Sequence, residues 1–169
     1  MKETEKHCTR TEQLVHTFLM ILPLSKEEKN NICIAARLHD IGKEKIPKEI
    51  LNKPGRLTEA EFDIMKCHAT YGKEMLKGIL SEEICDIILY HHENEDGSGY
   101  YHICAEDIPL GAKIIHICDV YDALIHDRCY KKAWKKEDAI QYIRENEGTI
   151  FEKELAEDFC RMQQKREKQ

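Results

Sequence analysis

The sequence lacks long apolar runs, paired-cysteine spacings and any excess of positive charge, and each absence removes a class of protein. Apolar stretches such as Phe18-Leu19-Met20-Ile21-Leu22 stop far short of the roughly 20 residues that cross a bilayer, so no membrane insertion is expected. The first residues, Met1-Lys2-Glu3-Thr4-Glu5-Lys6, lack the charged-then-apolar layout of a signal peptide, which predicts a cytoplasmic address. The cysteines, Cys8, Cys33, Cys67, Cys85, Cys104, Cys118, Cys129 and Cys160, form no C-x-x-C pair; they read as reduced thiols used as small core residues. A formal charge of −6 argues against gripping long nucleic acid through many phosphate contacts, while leaving room for a small phosphate ligand. No G-x-x-x-x-G-K-[ST] loop or G-x-S-x-G elbow supports an ATPase or a serine hydrolase, and no repeat or low-complexity tract is present.

What remains is 169 residues, 41% apolar and 34% charged, the balance of one soluble domain with a single core. The periodicity is helical: Ile32, Ala35, Ala36 and His39 share a face, as do Phe62, Met65 and Ala69, and Leu155, Phe159 and Met162. No alternating strand pattern accompanies them. Ser25 with Glu28 and Thr58 with Glu61 fit the S/T-x-x-E capping box, and Pro109 suits a first helical position. The expected fold is all-α, a single domain of about seven helices, near 3–21, 26–39, 58–77, 82–92, 109–125, 135–146 and 152–166, with a short turn at about 47–51. An irregular Gly-rich loop is expected near 93–108, a length that in small domains tends to carry function. The domain is expected to span about 1–162, with a charged, fraying tail over 163–169.

His39-Asp40 ends a helix whose apolar face leads to it, and Gly42 behind it is read as turning the chain sharply. Alone, the pair reads equally as a helix-end charge pair. His68 on the next helix, His91-His92 ending another, and Asp119 between Ile117-Cys118 and Val120 change the balance, because polar groups on apolar faces are costly to bury uncompensated. Each singly would serve as a hydrogen-bonded core residue; together they offer mixed nitrogen and oxygen ligands suited to iron, manganese or another divalent ion.

On the motifs His39-Asp40-Ile41-Gly42-Lys43, Ile46-Pro47, Lys53-Pro54-Gly55, Met65-Lys66-Cys67-His68, His91-His92-Glu93, Asp96-Gly97-Ser98-Gly99-Tyr100 and Asp119-Val120-Tyr121-Asp122-Ala123-Leu124, the chain resembles the HD-GYP group of HD phosphohydrolases, bacterial enzymes that hydrolyse the second messenger cyclic di-GMP. The resemblance runs from about His7 to Phe159 in family order. It implies a metal-dependent phosphodiesterase in which His39, Asp40, His68, His91, His92 and Asp119 hold two or three divalent ions, with iron or manganese favoured. Asp40 would bridge two of them, and metal-activated water would attack phosphorus. It makes Asp40 and Lys43 the catalytic pair, Lys43 meeting a substrate phosphate. It adds His7 as a further ligand on the first helix and Glu3, one turn earlier, as the holder of a third ion. Arg128 and Lys131 take the places of phosphate-gripping residues, and Gly99 and Tyr100 belong to the substrate loop.

The pattern departs from the family at that loop, where Gly99-Tyr100-Tyr101 replaces Gly-Tyr-Pro and the following Gly-Leu and Gly give way to His102-Ile103-Cys104-Ala105-Glu106-Asp107. Proline would fix a backbone angle that Tyr101 leaves free, so the departure touches substrate choice more than metal binding. The expected partners are a cyclic dinucleotide, a signalling protein at loop 97–101 and a second copy of the chain, with no long nucleic acid. Two other readings stay open: an HD hydrolase of another nucleotide or phosphate ester, and a catalytically inactive module that binds a cyclic dinucleotide. His16, His102, His116 and His126 match no ligand position and are read as structural or surface residues.

Overall fold

A computed structural model describes residues 3–127 and 132–166. Helices run in the order α1 (Glu3–Leu19), α2 (Lys26–Leu38), α3 (Lys48–Leu51), α4 (Glu59–Leu76), α5 (Glu82–Leu89), α6 (Leu110–Ile125), α7 (Lys136–Glu145) and α8 (Lys153–Arg166), with 3-10 turns at Ile41–Lys45 and Ala105–Asp107. Among the described residues there is no strand, only two isolated bridges. The architecture is all-α, and none of the described helices is long and apolar enough to cross a membrane.

Local chemistry sets the helix starts. Ser25 and Glu28, and Thr58 and Glu61, exchange reciprocal bonds at the N-termini of α2 and α4, satisfying donors that have no partner inside the helix. Ser81 caps α5 through the Ile84 amide. Pro109 stands at the N-cap of α6, one place before the first helical residue where the sequence put it. α5 ends at Leu89, three residues short of the expected boundary, and Tyr90-His91-His92 form a turn. At the other end of the chain α8 runs on through Gln163–Arg166, with Gln163 buried, so the tail expected from 163 begins as helix.

α6 is the central element: eleven of its sixteen residues are buried, and α1, α2, α5, α7 and α8 pack around it. Phe159 of α8 receives the rings of Phe18 from α1 and Tyr121 from α6 edge-on, each at 5.2 Å between centroids, worth about 0.5–1.5 kcal/mol per pair beyond burial. Cys85, Cys118 and Cys160 are buried core thiols as expected, whereas Cys8, Cys33 and Cys67 are half-buried and Cys104 is exposed; Cys129 lies outside the described residues. The polar members of α6's buried set, His116, Asp119 and Asp122, recur every three residues and so form one stripe. That stripe faces the site.

Gly42 does its work differently from the sequence expectation. Its backbone is not in the left-handed region; instead, a Cβ there would fall 1.9 Å from the His68 carbonyl oxygen and 2.5 Å from the Gly72 nitrogen. The first 3-10 turn therefore lies backbone to backbone on α4, which brings Asp40 up to His68.

Candidate metal centre

The histidines are oriented from behind. His39 donates from Nδ1 to the Ala36 carbonyl at 2.7 Å, His68 to Met65 at 2.7 Å and His91 to Ile88 at 2.6 Å. His39 and His91 thereby satisfy carbonyls in the last turns of α2 and α5. With Nδ1 carrying the proton, Nε2 keeps its lone pair, the arrangement in which a neutral imidazole ligates a metal. All three rings are buried.

These rings and two carboxylates fall into two groups. His68, His91 and His92 form one, and His7, His39 and Asp119 the other; within each, one ligand atom per residue lies within 4.8 Å of the rest. Asp40 stands between them, with Oδ1 3.5 Å from His68 Nε2 and Oδ2 3.6 Å from His39 Nε2. His39 Nε2 and Asp40 Oδ1 are buried without a hydrogen-bond partner. Leaving such groups unmet costs about 1–3 kcal/mol each, so the donor set fits a cation placed among them.

The electrostatics agree with that fit. Burial pushes the Asp40 carboxyl upward, but Lys43, whose Nζ lies 2.6 Å from Oδ2, together with His39 and His68 holds it well below the usual range. Asp119 is likewise raised by burial and brought well below by His39 and His7. Burial and neighbouring histidines hold His91 and His92 well below an ordinary imidazole. Near neutral pH the site thus presents ionised carboxylates beside neutral His91 and His92, the protonation states that ligation requires. Burial works against a charged His39, yet Asp40 and Asp119 raise it, so an ion bound there would displace a proton.

The sequence reading assigned no role to Arg10, nor to Asp122 within the motif that contains it. His7 places Nε2 2.6 Å from Asp119 Oδ1 and Nδ1 2.6 Å from Asp122 Oδ2. Asp122 is itself clamped by Arg10, Nε to Oδ1 at 2.9 Å and Nη2 to Oδ2 at 3.0 Å, and meets His126 Nδ1 at 3.0 Å. Burial works against a charged His7, yet the two carboxylates raise it to about 9. The only hint in the sequence was spacing: His7 and Arg10, like Asp119 and Asp122, are three apart on one helix. An orienting carboxylate behind a ligating histidine sets ring angle and basicity, so Asp122→Asn is expected to weaken divalent-ion affinity about 10- to 100-fold. A chelator-competition titration, with circular dichroism as the control for folding, checks this.

His116, read as structural, donates from Nδ1 to the His91 carbonyl at 3.0 Å and so backs the His91-His92 turn. Glu3 is the first residue of α1, one turn before His7. Arg128 and Lys131 lie outside the described residues.

A cleft of about 380 Å³ opens over the site, lined by His7, Lys43, His68, His92 and Asp119 together with Lys53, Phe62, Met65 and Tyr100. The Tyr100 ring lies 4.6 Å from that of His92 and meets Phe62 edge-on at 5.9 Å. Gly99 packs on Glu93, where a Cβ would come 2.5 Å from Glu93 Cα.

The altered loop is pinned rather than free. Tyr101 donates its backbone N–H to Glu93 Oε1 at 2.7 Å, a bond proline cannot make, and its hydroxyl pairs with Thr70 Oγ1 at 2.8 Å. Buried Glu93 also accepts from Ile103 N at 3.3 Å, so this carboxylate, part of the His91-His92-Glu93 motif but given no role in the sequence reading, organises the loop. His102 follows with φ of +57°, a conformation that glycine adopts freely and other residues at some cost. Tyr101→Pro should therefore lose about 1–3 kcal/mol of stability through the unmet Glu93 oxygen, read by denaturant unfolding, with metal content unchanged.

Comparison with known proteins gives one family and a consistent set of relatives. The HD domain family description matches residues 2–155. The cyclic di-GMP phosphodiesterase response regulator RpfG of Xanthomonas campestris pv. campestris is 45% identical over 135 residues, 78% of this chain and 36% of that protein. The 3'3'-cGAMP-specific phosphodiesterase 2 of Vibrio cholerae is 38% identical over 160 residues, 92% of this chain and 31% of that protein. The chain thus spans about a third of the length of these curated relatives. The crystal structure of V-cGAP3, a cyclic GMP-AMP specific phosphodiesterase of V. cholerae, superposes with a TM-score of 0.74 at 20% identity, covering 97% of this chain and 45% of that one. That is a likeness of fold.

Proposed function

The chain belongs to the HD domain family, and from that premise we propose that it is a metal-dependent phosphodiesterase that hydrolyses a cyclic dinucleotide, with cyclic di-GMP as the first substrate to test. The observation that carries this reading is Asp40, whose two oxygens face separate groups of buried ligands at 3.5 and 3.6 Å. In this reading Asp40 would be the ligand shared between divalent ions held by the two groups. His68, His91 and His92 complete one position, and His7, His39 and Asp119 the other. Glu3, one helical turn before His7, would be the candidate holder of a third ion. Mixed imidazole and carboxylate donors suit iron or manganese.

Ions bound there would supply a water of lowered pKa and positive charge beside the phosphoryl oxygens. The chain's own residues do the rest. Lys43 lines the cleft beside Asp40, within reach of a phosphate once the Asp40 charge is shared, and Arg128 and Lys131 are proposed to grip the outer phosphate. No covalent nucleophile is needed. Phe62, 45% exposed, and Tyr100 offer ring surfaces on the cleft wall for a nucleobase.

Stacking on an aromatic ring is worth about 1–3 kcal/mol per base. Phe62→Ala is thus expected to raise KM by roughly five- to hundredfold with kcat and metal content kept, as steady-state kinetics would show. The relatives include both cyclic di-GMP and 3'3'-cGAMP phosphodiesterases, which makes 3'3'-cGAMP the second substrate to try. The deciding experiment measures metal content and hydrolysis on one oxygen-free preparation, against both cyclic dinucleotides, linear dinucleotides and mononucleotides. Turnover of a cyclic dinucleotide supports the reading; turnover of mononucleotides alone sinks the substrate claim. Tight binding without turnover in the metal-replete protein assigns a binding module instead.

A further inference from the structure

Cys8 follows His7 on α1 and is half-buried, and none of the roles above uses its thiol. Its Sγ, a ring nitrogen of His39 and a carboxylate oxygen of Asp40 lie within 4.8 Å of one another. His39 Nδ1 is committed to Ala36, so the ring atom free to ligate is Nε2, buried and without a hydrogen-bond partner and 3.6 Å from Asp40 Oδ2. The sulfur is also reachable: Cys8 and Asp40 line a hollow of about 740 Å³, which shares Lys43 and Leu51 with the cleft over the site.

We propose that Cys8 supplies a thiolate ligand to the ion held by His39 and Asp40, biasing that position toward a borderline-soft ion such as ferrous iron or zinc and away from manganese or magnesium. The inference rests on the reading that this centre binds metal, and it goes further by assigning one more donor and a consequence for metal choice. Three donors at about 2.0–2.3 Å from one tetrahedral ion stand roughly 3.3–3.8 Å apart. The three atoms, within 4.8 Å of one another, therefore need to close by no more than about 1.5 Å. Forming the sulfur–metal bond releases the thiol proton to water and changes no oxidation state, since a cation deprotonates a coordinating thiol outright. Imidazole and carboxylate alone discriminate weakly among these ions, whereas a thiolate prefers the softer ones.

The test loads the oxygen-free wild-type protein, Cys8→Ser and Cys8→Ala with cobalt(II), counts bound ions by mass spectrometry and records the near-ultraviolet sulfur-to-cobalt charge-transfer band. The expected result is a band in the wild type that is lost in both variants, with zinc leaving the variants more readily than the wild type under a chelator and manganese retention unchanged. A wild-type protein that holds cobalt without the band, or a band that survives both substitutions, overturns the Cys8 assignment and leaves the metal centre standing. A wild-type protein that retains no ion overturns the proposed function, and the assignment with it. If either variant fails to fold, mass-mapped alkylation of wild-type Cys8 decides: zinc should block it and manganese should not, and equal labelling with and without zinc overturns the proposal.

Discussion

Asp40→Asn is expected to cut cyclic dinucleotide hydrolysis by on the order of a thousandfold or more, because the metal contribution at stake is several kcal/mol at about 1.4 kcal/mol per decade of rate. Asparagine keeps the size of the side chain but offers one carbonyl oxygen and an amide that cannot ligate. One of the two ligand groups would then lose its shared donor. The substitution also strips Lys43 of the carboxylate it meets at 2.6 Å while the ions are lost. The measurements are kcat/KM and bound metal per chain, with helicity by circular dichroism as the control. Asp40→Ala should give the same kinetic result. An Asp40→Asn protein that keeps its helices, its metal and near-normal turnover would remove the bridge from the proposed mechanism.

How far the sequence discloses this site depends on whether a residue's partner is near it in the chain. The capping pairs Ser25 with Glu28 and Thr58 with Glu61 act within one turn, and both helix starts were readable from them. The ligand candidates stood out because imidazole and carboxylate are conspicuous on apolar faces. Asp122 was not legible: its partners His7 and Arg10 lie 115 and 112 residues away, and only folding places α1 beside α6. Glu93 stood in the His91-His92-Glu93 motif without a role until its contacts with Tyr101 and Ile103 gave it one. The overrun of α5 has the same origin. A continuous apolar pattern cannot show that His91 turns back to take the Ile88 carbonyl and so closes the helix early.

Gly42→Ala is the substitution expected to hurt folding most, although it adds only a methyl group. That methyl would stand 1.9 Å from the His68 carbonyl oxygen and 2.5 Å from the Gly72 nitrogen, distances that no rotamer relieves because both atoms are backbone. Ordinary overpacking of a core costs about 1–3 kcal/mol where side chains can shift; here the 3-10 turn itself must lift from α4. A loss of about 3 kcal/mol or more is expected, a fall in Tm of roughly 6–12 °C for a domain of this size. Gly55→Ala is the contrast: it has φ of +119° but nothing within 4 Å of an added Cβ. It should cost only about 1–2 kcal/mol of backbone strain and leave metal content intact. In Gly42→Ala the loss of ions should track the loss of stability, because Asp40 begins the turn that lifts while His68 stays on α4. If calorimetry and metal analysis find Gly42→Ala as stable and as fully loaded as the wild type, the backbone contact between the turn and α4 is not what holds Asp40 against His68.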